Sequence, residues 1–149
     1  MPTTQLSPHF TLAEFTYSET AARQGIPNQP DAAAMENLYR TADVMEKVRT
    51  ICGNLPVTIT SGYRGPQLNK AIGGATNSAH MYGMAADFLV PGFGDPLQVC
   101  KAIEPHLQEL GIDQLIWEYS DWTHLGLSSG APRYQCLTID NNGTRYGFA

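Results

Sequence analysis

The sequence lacks long hydrophobic runs, and none of its apolar stretches approaches the roughly 20 residues that a membrane-spanning helix needs. The N-terminus has no basic segment followed by an apolar stretch, so we expect synthesis in the cytoplasm without a secretory signal. Charged residues make up only 15% of the chain and hydrophobic residues 42%, an ordinary globular composition. Repeats, low-complexity tracts and linkers are also missing, so we predict that residues 1–149 form a single domain.

Basic residues are scarce. The chain has 9 lysine and arginine residues against 14 aspartate and glutamate residues, which gives a net charge of -5. A protein that binds nucleic acid presents a basic face, so we do not expect nucleic acid as a partner. The same charge argues against capture by an anionic cell wall. Any affinity for a wall is therefore expected to come from an active-site cleft.

Cysteine is scarce as well. Cys52, Cys100 and Cys136 are widely spaced and odd in number, and they form no C-x-x-C pair. This pattern argues against a thiolate metal site. We interpret the three residues as buried or half-buried free thiols in a reducing compartment.

A histidine and a carboxylate, His80 and Asp87, stand seven positions apart with glycine and alanine between them. Zinc binds histidine nitrogen and carboxylate oxygen, and a catalytic zinc site has three protein ligands and one open position. Small residues let the backbone turn tightly enough for a loop ligand and a strand ligand to reach the same ion. His124 is the best-placed third ligand, because His9 lies near the terminus and His106 lies in a helical pattern.

Taken alone, this pair would also fit a surface histidine and an aspartate that caps a turn. However, residues 78–87 read S-x-H-x-x-G-x-A-x-D, and a histidine follows downstream on an alternating apolar strand. This pattern resembles the zinc peptidases of the D-alanyl-D-alanine carboxypeptidase family, the M15 group. Residues 60–64 and Asn69 resemble the S-G-Y-R…N run of that family, and residues 6–15 resemble the start of a phage-associated branch. The resemblance covers roughly residues 6–128.

The apolar periodicity and the turn signals predict an α+β domain in which helices pack on an antiparallel sheet that carries the zinc site. The family resemblance implies the same hedgehog-like, D-Ala-D-Ala peptidase-like fold. Thr11 and Glu14 form a capping box that predicts a short helix. The other predicted elements are a helix from Asp31 to the stop signal at Gly53, a strand at 56–60, a helix at 66–72, a strand at 85–90, a helix that starts at Asp95 and stops before Gly111, a hairpin of 114–118 and 122–127, and a hairpin of 133–139 and 144–148 around Asn142 and Gly143.

Amide hydrolysis needs a general base that takes a proton from the attacking water and returns it to the leaving nitrogen. Two carboxylates precede His124, Glu118 by six residues and Asp121 by three, and both spacings occur among relatives of this fold. In a regular hairpin Asp121 lies in the turn, where aspartate is a common turn former. Glu118 ends the preceding strand and can cross to the face of His124. We therefore favour Glu118 as the base and keep Asp121 as the alternative.

Three further residues are candidates for roles in the site, and the resemblance implies the role of the first. Arg64 matches an arginine that binds a substrate carboxylate or stabilises the oxyanion of the tetrahedral intermediate, although an ordinary surface arginine is the alternative. Ser78 would bind the substrate carboxylate or hold the loop of His80, and the sequence leaves both roles open. Asn69 is expected either to support the residues of the site from behind or to fix a loop. Trp122 stands where some relatives carry a second histidine that assists the transition state, and this departure bears on the catalytic rate rather than on zinc binding.

The sequence thus predicts a zinc metallopeptidase with one zinc ion per chain that acts on peptidoglycan stem peptides. The resemblance implies D-Ala-D-Ala carboxypeptidase or L-alanyl-D-glutamate endopeptidase activity. The lack of a signal peptide and of a wall-binding domain favours a phage lysis enzyme released through a holin, or a virion-associated enzyme. The alternative is a non-catalytic, zinc-containing binding module of hedgehog type. The presence of both candidate carboxylates favours the enzyme.

Overall fold

The computed structural model describes residues 4–148, which divide into two compact units. The first unit comprises residues 4–46 and Ser61–Ala86, and the second comprises Lys47–Thr60 and residues 87–148. Within residues 4–148, no helix combines the length and the hydrophobicity that crossing a membrane requires.

The first unit contains a short antiparallel hairpin and most of the helical residues. The predicted capping box begins its first helix, since the Thr11 hydroxyl accepts a hydrogen bond from the Glu14 N–H and the Glu14 carboxylate accepts one from the Thr11 N–H. The sequence does not predict the hairpin or the second helix, because such short segments show no hydrophobic period. The elements are β1 (Gln5–Ser7), β2 (Phe10–Thr11), α1 (Leu12–Thr16), α2 (Glu19–Gln24), most of α3 (Ala32–Ile51), α4 (Pro66–Ala71) and a 3-10 turn at Ala79–Tyr82.

Phe10 and Phe15 form part of the core of this unit. Their rings meet edge to face with centroids 6.0 Å apart, and both side chains are buried. Gly62 lies against Phe15, because a Cβ atom there would be 2.5 Å from the Phe15 carbonyl oxygen. That oxygen also accepts a hydrogen bond from the Tyr63 N–H at 2.6 Å. Only glycine fits this approach, so Gly62 fixes the path of the chain into Tyr63.

The second unit holds nearly all the residues of a six-stranded sheet. The strands lie in the order β3-β4-β6-β5-β7-β8. Two further helices, the end of α3 and their connections complete the unit. The elements are β3 (Thr58–Ser61), β4 (Ala85–Leu89), α5 (Pro96–Ile103), α6 (Leu107–Leu110), β5 (Gln114–Glu118), β6 (Trp122–Gly126), β7 (Gln135–Asp140) and β8 (Gly143–Tyr146).

The strand directions confirm the predicted α+β class with a mostly antiparallel sheet. β5 pairs antiparallel with β6, and β7 pairs antiparallel with β8. β5 and β7 pair in parallel, which differs from a purely antiparallel sheet. The sheet order places this pair: β6 is flanked by β4 and β5, so β7 pairs with the other edge of β5.

Two predicted elements differ in detail. The helix that follows the capping box of Asp95 and Gln98 is interrupted by a 3-10 turn at Glu104–His106, because proline at position 105 has no N–H to continue the α-helical ladder. The last hairpin turns one residue earlier than predicted, since Asp140 pairs with Gly143. The Asp140 side chain accepts a hydrogen bond from the Asn142 N–H, which stabilises this earlier turn.

The three cysteines are free thiols, as predicted. Cys52 and Cys100 are buried and Cys136 is half-buried. Burial raises the pKa of Cys52 to about 11 and the pKa values of Cys100 and Cys136 to about 12. Because the thiolate is the form that binds metals, these residues are poor ligands at neutral pH.

Candidate metal centre and active site

His80 is buried and held by backbone atoms. It lies in the 3-10 turn Ala79–Tyr82, where the Ser78 hydroxyl accepts a hydrogen bond from the His80 N–H at 3.2 Å. Gly83 ends this turn in the left-handed conformation. The Nδ1 atom of His80 lies 2.6 Å from the Gly62 carbonyl oxygen. Because a carbonyl oxygen only accepts, Nδ1 donates to it, and Nε2 is the nitrogen able to bind a metal.

Asp87 and His124 face each other on β4 and β6. The Oδ1 atom of Asp87 lies 2.8 Å from Nδ1 of His124. Both side chains are only 11% exposed. A carboxylate buried to this degree needs a partner of opposite charge, hydrogen-bond donors or a metal. The Nδ1 side of the imidazole is thus the side of His124 that meets the polar groups.

Three of the predicted residues form one potential metal-binding group. One ligand atom each of His80, Asp87 and His124 lies within 4.8 Å of the others, and all three residues are buried. Two imidazole nitrogens and one carboxylate oxygen form the kind of donor set that catalytic zinc sites use, with a fourth position left for water or substrate. The donor chemistry therefore fits the predicted zinc ion.

Glu118 is brought to His124 by the register of the β5–β6 hairpin. Glu118 pairs with Trp122, and Ile116 pairs with His124. Paired residues of antiparallel strands share a face with the residues two positions away, so Glu118 and His124 lie on the same face. The Oε1 atom of Glu118 is 3.5 Å from Nδ1 of His124. Glu118 is thus a carboxylate within 3.5 Å of a residue of the metal-binding group, and its role as a base remains a prediction.

Asp121, the alternative base, is exposed in the turn of the hairpin. Its N–H donates to the Glu118 carbonyl at 3.0 Å and closes the turn. Tyr119 and Ser120 complete the turn with φ angles of 53° and 58°, in the left-handed region that residues other than glycine rarely adopt. Among residues 4–148, the carboxylates paired with His124 are those of Asp87 and Glu118, and no hydrogen bond or ion pair joins Asp121 to it. The geometry therefore favours Glu118.

Arg64 and Ser78 contact each other beside His80. The Nη2 atom of Arg64 donates to the Ser78 hydroxyl at 3.3 Å. The Arg64 backbone N–H donates to the His80 carbonyl oxygen at 3.0 Å. Since the Ser78 hydroxyl also accepts from the His80 N–H, Ser78 holds the His80 segment. A role of either side chain towards substrate remains a prediction.

Asn28 is an organising residue that the sequence does not reveal. Its Nδ2 atom donates to the carbonyl oxygens of Thr16 and Tyr63, both at 2.9 Å. Its Oδ1 atom accepts from the Gly65 N–H at 2.8 Å. Asn28 therefore clamps the backbone on both sides of Arg64. An asparagine in a turn-rich run carries no spacing that signals this buried role.

Asn69 has the loop-fixing position expected for it. Its Nδ2 atom donates to the Ala75 carbonyl oxygen at 2.8 Å. The backbone at Gly74 passes so close that a Cβ atom there would lie 2.1 Å from the Asn69 Oδ1 atom. The side chain thus ties α4 to the loop that leads to Ser78.

Trp122 shares the sheet face of Glu118 and His124. Its ring is tilted against that of Tyr119, with centroids 5.9 Å apart. The indole Nε1 atom is buried and has no hydrogen-bond partner within the described residues. An indole N–H donates but does not exchange protons near neutral pH, so Trp122 cannot replace a histidine in proton transfer.

An α+β chain with a buried His-Asp-His group and a carboxylate beside one of its histidines has the architecture of a metal-dependent hydrolase. A family model described as Peptidase M15 matches residues 8–126, which is most of the chain. The chain belongs to the M15 peptidase family. The predictions of this family and of a metallopeptidase are thereby confirmed.

A curated relative agrees with the family. The chain is 41% identical over 56 residues to a zinc D-Ala-D-Ala carboxypeptidase of Streptomyces albus G, an alignment that covers 38% of this chain and 22% of the relative. The chain thus matches about a fifth of the length of that relative. Family, relative and metal-binding group together confirm the prediction of a zinc cofactor. The assignment of individual residues to zinc binding and catalysis remains a prediction.

Proposed function

We propose that this chain is a zinc peptidase that hydrolyses amide bonds in the stem peptides of bacterial peptidoglycan. The observation that carries the proposal is the Glu118 carboxylate, 3.5 Å from His124. A metal-binding group alone also suits a binding module, whereas a carboxylate beside it supplies the base that hydrolysis needs. The similarity to a D-Ala-D-Ala carboxypeptidase supports a bond next to a D-amino acid.

His80, Asp87 and His124 would hold one zinc ion per chain. Zinc, when bound, supplies a Lewis acid that polarises the scissile carbonyl and lowers the pKa of a bound water. The hydrogen bond from Nδ1 of His80 to Gly62 supports this assignment, because it fixes the tautomer in which Nε2 carries a lone pair.

Glu118 acts as the general base. Its carboxylate takes the proton of the attacking water and then returns it to the leaving nitrogen, so that one side chain serves both steps. Its half-buried position at the end of β5 supports this role. Reduced contact with water strengthens the electrostatic effect of the carboxylate on nearby groups.

Arg64 and Ser78 bind the substrate. The two candidate reactions are removal of a C-terminal D-alanine and cleavage between L-alanine and D-glutamate, and in each the residue on the amine side of the bond carries a carboxylate. A guanidinium can bind that carboxylate with two parallel hydrogen bonds. The contact between Arg64 and Ser78 supports a common binding site for it.

We further infer that the chain acts as a phage lysis enzyme or as part of a virion. The support is the resemblance of residues 6–15 to the opening of a phage-associated branch of the family. Cells that express the chain in their cytoplasm should keep their turbidity until the inner membrane is permeabilised, because peptidoglycan lies outside that membrane. Lysis that is equally fast without permeabilisation would contradict release through a holin.

The ligand assignment predicts metal loss in single variants. The wild type should contain one zinc per chain, and the variants His80→Ala, Asp87→Ala and His124→Ala should lose it, because two protein ligands hold zinc much more weakly than three. Elemental analysis of the purified proteins measures this. His106→Ala is the matched control, since His106 lies outside the metal-binding group, and it should keep its zinc. Full occupancy in His124→Ala would contradict the assignment.

The base assignment predicts different effects of two carboxylate variants. Glu118→Gln keeps the size of the side chain but cannot take a proton, so kcat on stem peptides should fall by about 10² to 10⁴ with zinc retained. Asp121→Asn should change kcat little, because asparagine also serves in turns. The reverse result would make Asp121 the base. A zinc-loaded wild type that cleaves no stem peptide would favour the binding module.

A further inference from the structure

Two aromatic side chains of the second unit, Tyr119 and Trp122, lie beside the proposed base. Trp122 is the strand partner of Glu118 and precedes His124 by two positions, so these three residues share one face of the sheet. Directly paired residues have Cβ atoms about 4.5–5.5 Å apart. The Tyr119 ring is tilted by 44° against the indole, with centroids 5.9 Å apart. Tyr119 and Trp122, the aromatic pair, thus adjoin the Glu118 side chain.

The indole of Trp122 presents carbon atoms at the surface of the protein. The residue is half-buried, whereas its Nε1 atom is shielded from solvent and has no hydrogen-bond partner among residues 4–148. The exposed part of the ring therefore lacks a polar atom. A shielded N–H without an acceptor is unfavourable, which indicates that packing holds the ring in this orientation. Trp122 is thus a fixed apolar surface on the face that carries Glu118.

The turn that carries Tyr119 is strained. Tyr119 and Ser120 have φ angles of 53° and 58°, where hairpin turns usually place asparagine or glycine. The Tyr119 N–H donates to the Ile139 carbonyl oxygen of β7 at 2.7 Å, and the Asp121 N–H donates to the Glu118 carbonyl oxygen at 3.0 Å. These hydrogen bonds hold the strained backbone. Strain of this kind clusters at active sites and ligand clamps, so it points to a use for the fixed position of the Tyr119 ring.

The proposed base determines which part of the substrate the aromatic pair meets. Glu118 returns a proton to the leaving nitrogen, which brings the two groups within hydrogen-bond distance. The side chain of the leaving residue is attached to the next atom of the substrate chain, and the carboxylate of that residue is the group proposed to bind Arg64. The side chain is therefore the part that remains to contact the aromatic pair. Tyr119 is 44% exposed and no residue of the turn 119–121 is buried, so the turn does not limit the length of this side chain.

We propose that the aromatic pair is an open subsite for the side chain of the leaving residue, and that it favours apolar side chains longer than the methyl group of alanine. The inference rests on the proposed function, because it takes Glu118 as the base of a peptidase. Each further methylene group covers more of the aromatic carbon surface, which the hydrophobic effect favours. A hydroxyl group gains nothing there, because the exposed part of the indole offers it no hydrogen-bond partner. Tyr119 and Trp122 thus determine specificity and take no part in proton transfer.

The test compares stem-peptide analogues that differ only in the leaving residue. D-Alanine, D-2-aminobutyrate and D-norvaline lengthen the side chain by one methylene group at a time, and D-serine matches D-2-aminobutyrate in size but is polar. For the wild type, kcat/KM should rise about two- to threefold with each methylene group, which corresponds to partial burial of that group. The D-serine analogue should be cleaved no faster than the D-alanine analogue. A wild type whose kcat/KM is constant or falls along the apolar series would overturn the proposal.

Variants of the aromatic pair should change this series in different ways. Trp122→Gln removes the apolar ring and should abolish the rise, whereas Trp122→Phe keeps an apolar ring and should retain it. Because the rise is a ratio between substrates of one protein, a general loss of activity does not alter it. Tyr119→Ser should weaken the rise, and Tyr39→Ser, its matched control at a position that is 42% exposed in the first unit, should leave it intact. A rise that survives in both Trp122→Gln and Tyr119→Ser would overturn the proposal.

A second measurement separates this inference from the proposed function. Titration of the zinc-loaded protein with D-norvalinamide, the leaving residue alone, is followed by the NMR signals of the two indole N–H groups. Trp117, the other tryptophan of the chain, lies on the opposite face of β5 and is the internal control. A shift of the Trp122 signal that exceeds the shift with D-alaninamide, with Trp117 unchanged, supports the subsite even if no peptide is cleaved. Equal shifts of both indole signals, or none, overturn it.

Discussion

Arg64 makes two contacts with different consequences. Its backbone N–H holds the His80 segment, and this contact does not depend on the side chain. Its guanidinium reaches Ser78, the other residue proposed to bind substrate. A substitution that keeps the positive charge but removes the planar fork therefore separates the structural contact from the proposed binding contact.

We expect Arg64→Lys to keep its zinc and its fold but to cleave stem peptides with a kcat/KM about 10- to 100-fold lower, the effect of losing a hydrogen bond to a charged group. Steady-state kinetics together with zinc analysis measure both. Arg23→Lys, an exposed arginine of the first unit, should behave like the wild type. If Arg64→Lys cleaved stem peptides as fast as the wild type, Arg64 would have no specific role in substrate binding.

At the scale of single residues, metal ligands can be recognised from the sequence, whereas a buried asparagine that organises the backbone cannot. His80 and Asp87 can be recognised because metal ligands must be of a few residue types at short spacing. Asn28 cannot, because its three hydrogen bonds go to backbone atoms of residues 16, 63 and 65, whose proximity only the fold creates.

At the scale of elements, one ion pair secures the start of two strands. Asp113 precedes β5, and its carboxylate accepts hydrogen bonds from the backbone N–H, Nε and Nη2 of Arg133 at 2.8, 2.9 and 2.7 Å. The Asp113 carbonyl oxygen accepts from the Gln135 N–H at the start of β7. The side-chain hydrogen bonds from Arg133 hold the pKa of Asp113 below its usual value.

Asp113→Asn should lower the free energy of unfolding at pH 7 by about 2 kcal/mol, because Arg133 loses a charged acceptor. As the pH falls, the unfolded state takes up the proton first, since the pKa of Asp113 is lower in the folded state. The advantage of the wild type is therefore present above the unfolded pKa and is lost as the pH falls through the folded pKa.

Urea unfolding of both proteins between pH 7 and the acid limit of folding measures this difference. It should be constant down to about pH 5 and shrink below about pH 4. Asp140→Asn, which affects the more exposed pair with Arg145, should have a smaller effect at every pH. A difference between wild type and Asp113→Asn that does not depend on pH would contradict the ionic origin of the stabilisation.

The elements that the sequence predicts well have signals within a few residues. The capping residues Thr11 and Asp95 mark the starts of their helices, and the two hairpins follow from short turns between apolar strands. The parallel pairing of β5 with β7 has no such signal. It depends on which edge of β5 is open after β6 and β4 have paired, which is a property of the whole sheet.

At the scale of the whole molecule, the family could be predicted because its motifs lie in four segments in a fixed order, at residues 6–15, 60–69, 78–87 and 118–124. A cavity of about 210 Å³ in the first unit, with Tyr63 in its lining, could not be predicted. Asp31 and Met81 are 50 positions apart, and nothing in either segment indicates that they line the same space.

The parallel pairing of β5 and β7 also has a consequence for the order in which the chain folds. β5 and β6 are joined by three residues, so their hairpin can form within about 1–10 μs. β7 can join β5 only after a longer loop has closed, and loop closure costs more conformational entropy as the loop grows. Pulse-labelled hydrogen exchange during refolding should therefore show protection of the His124 N–H, which points to β5, before that of the Leu137 N–H, and simultaneous protection would contradict this order. Glu118 and His124, which both belong to the early hairpin, would then acquire their mutual geometry before the sheet is complete.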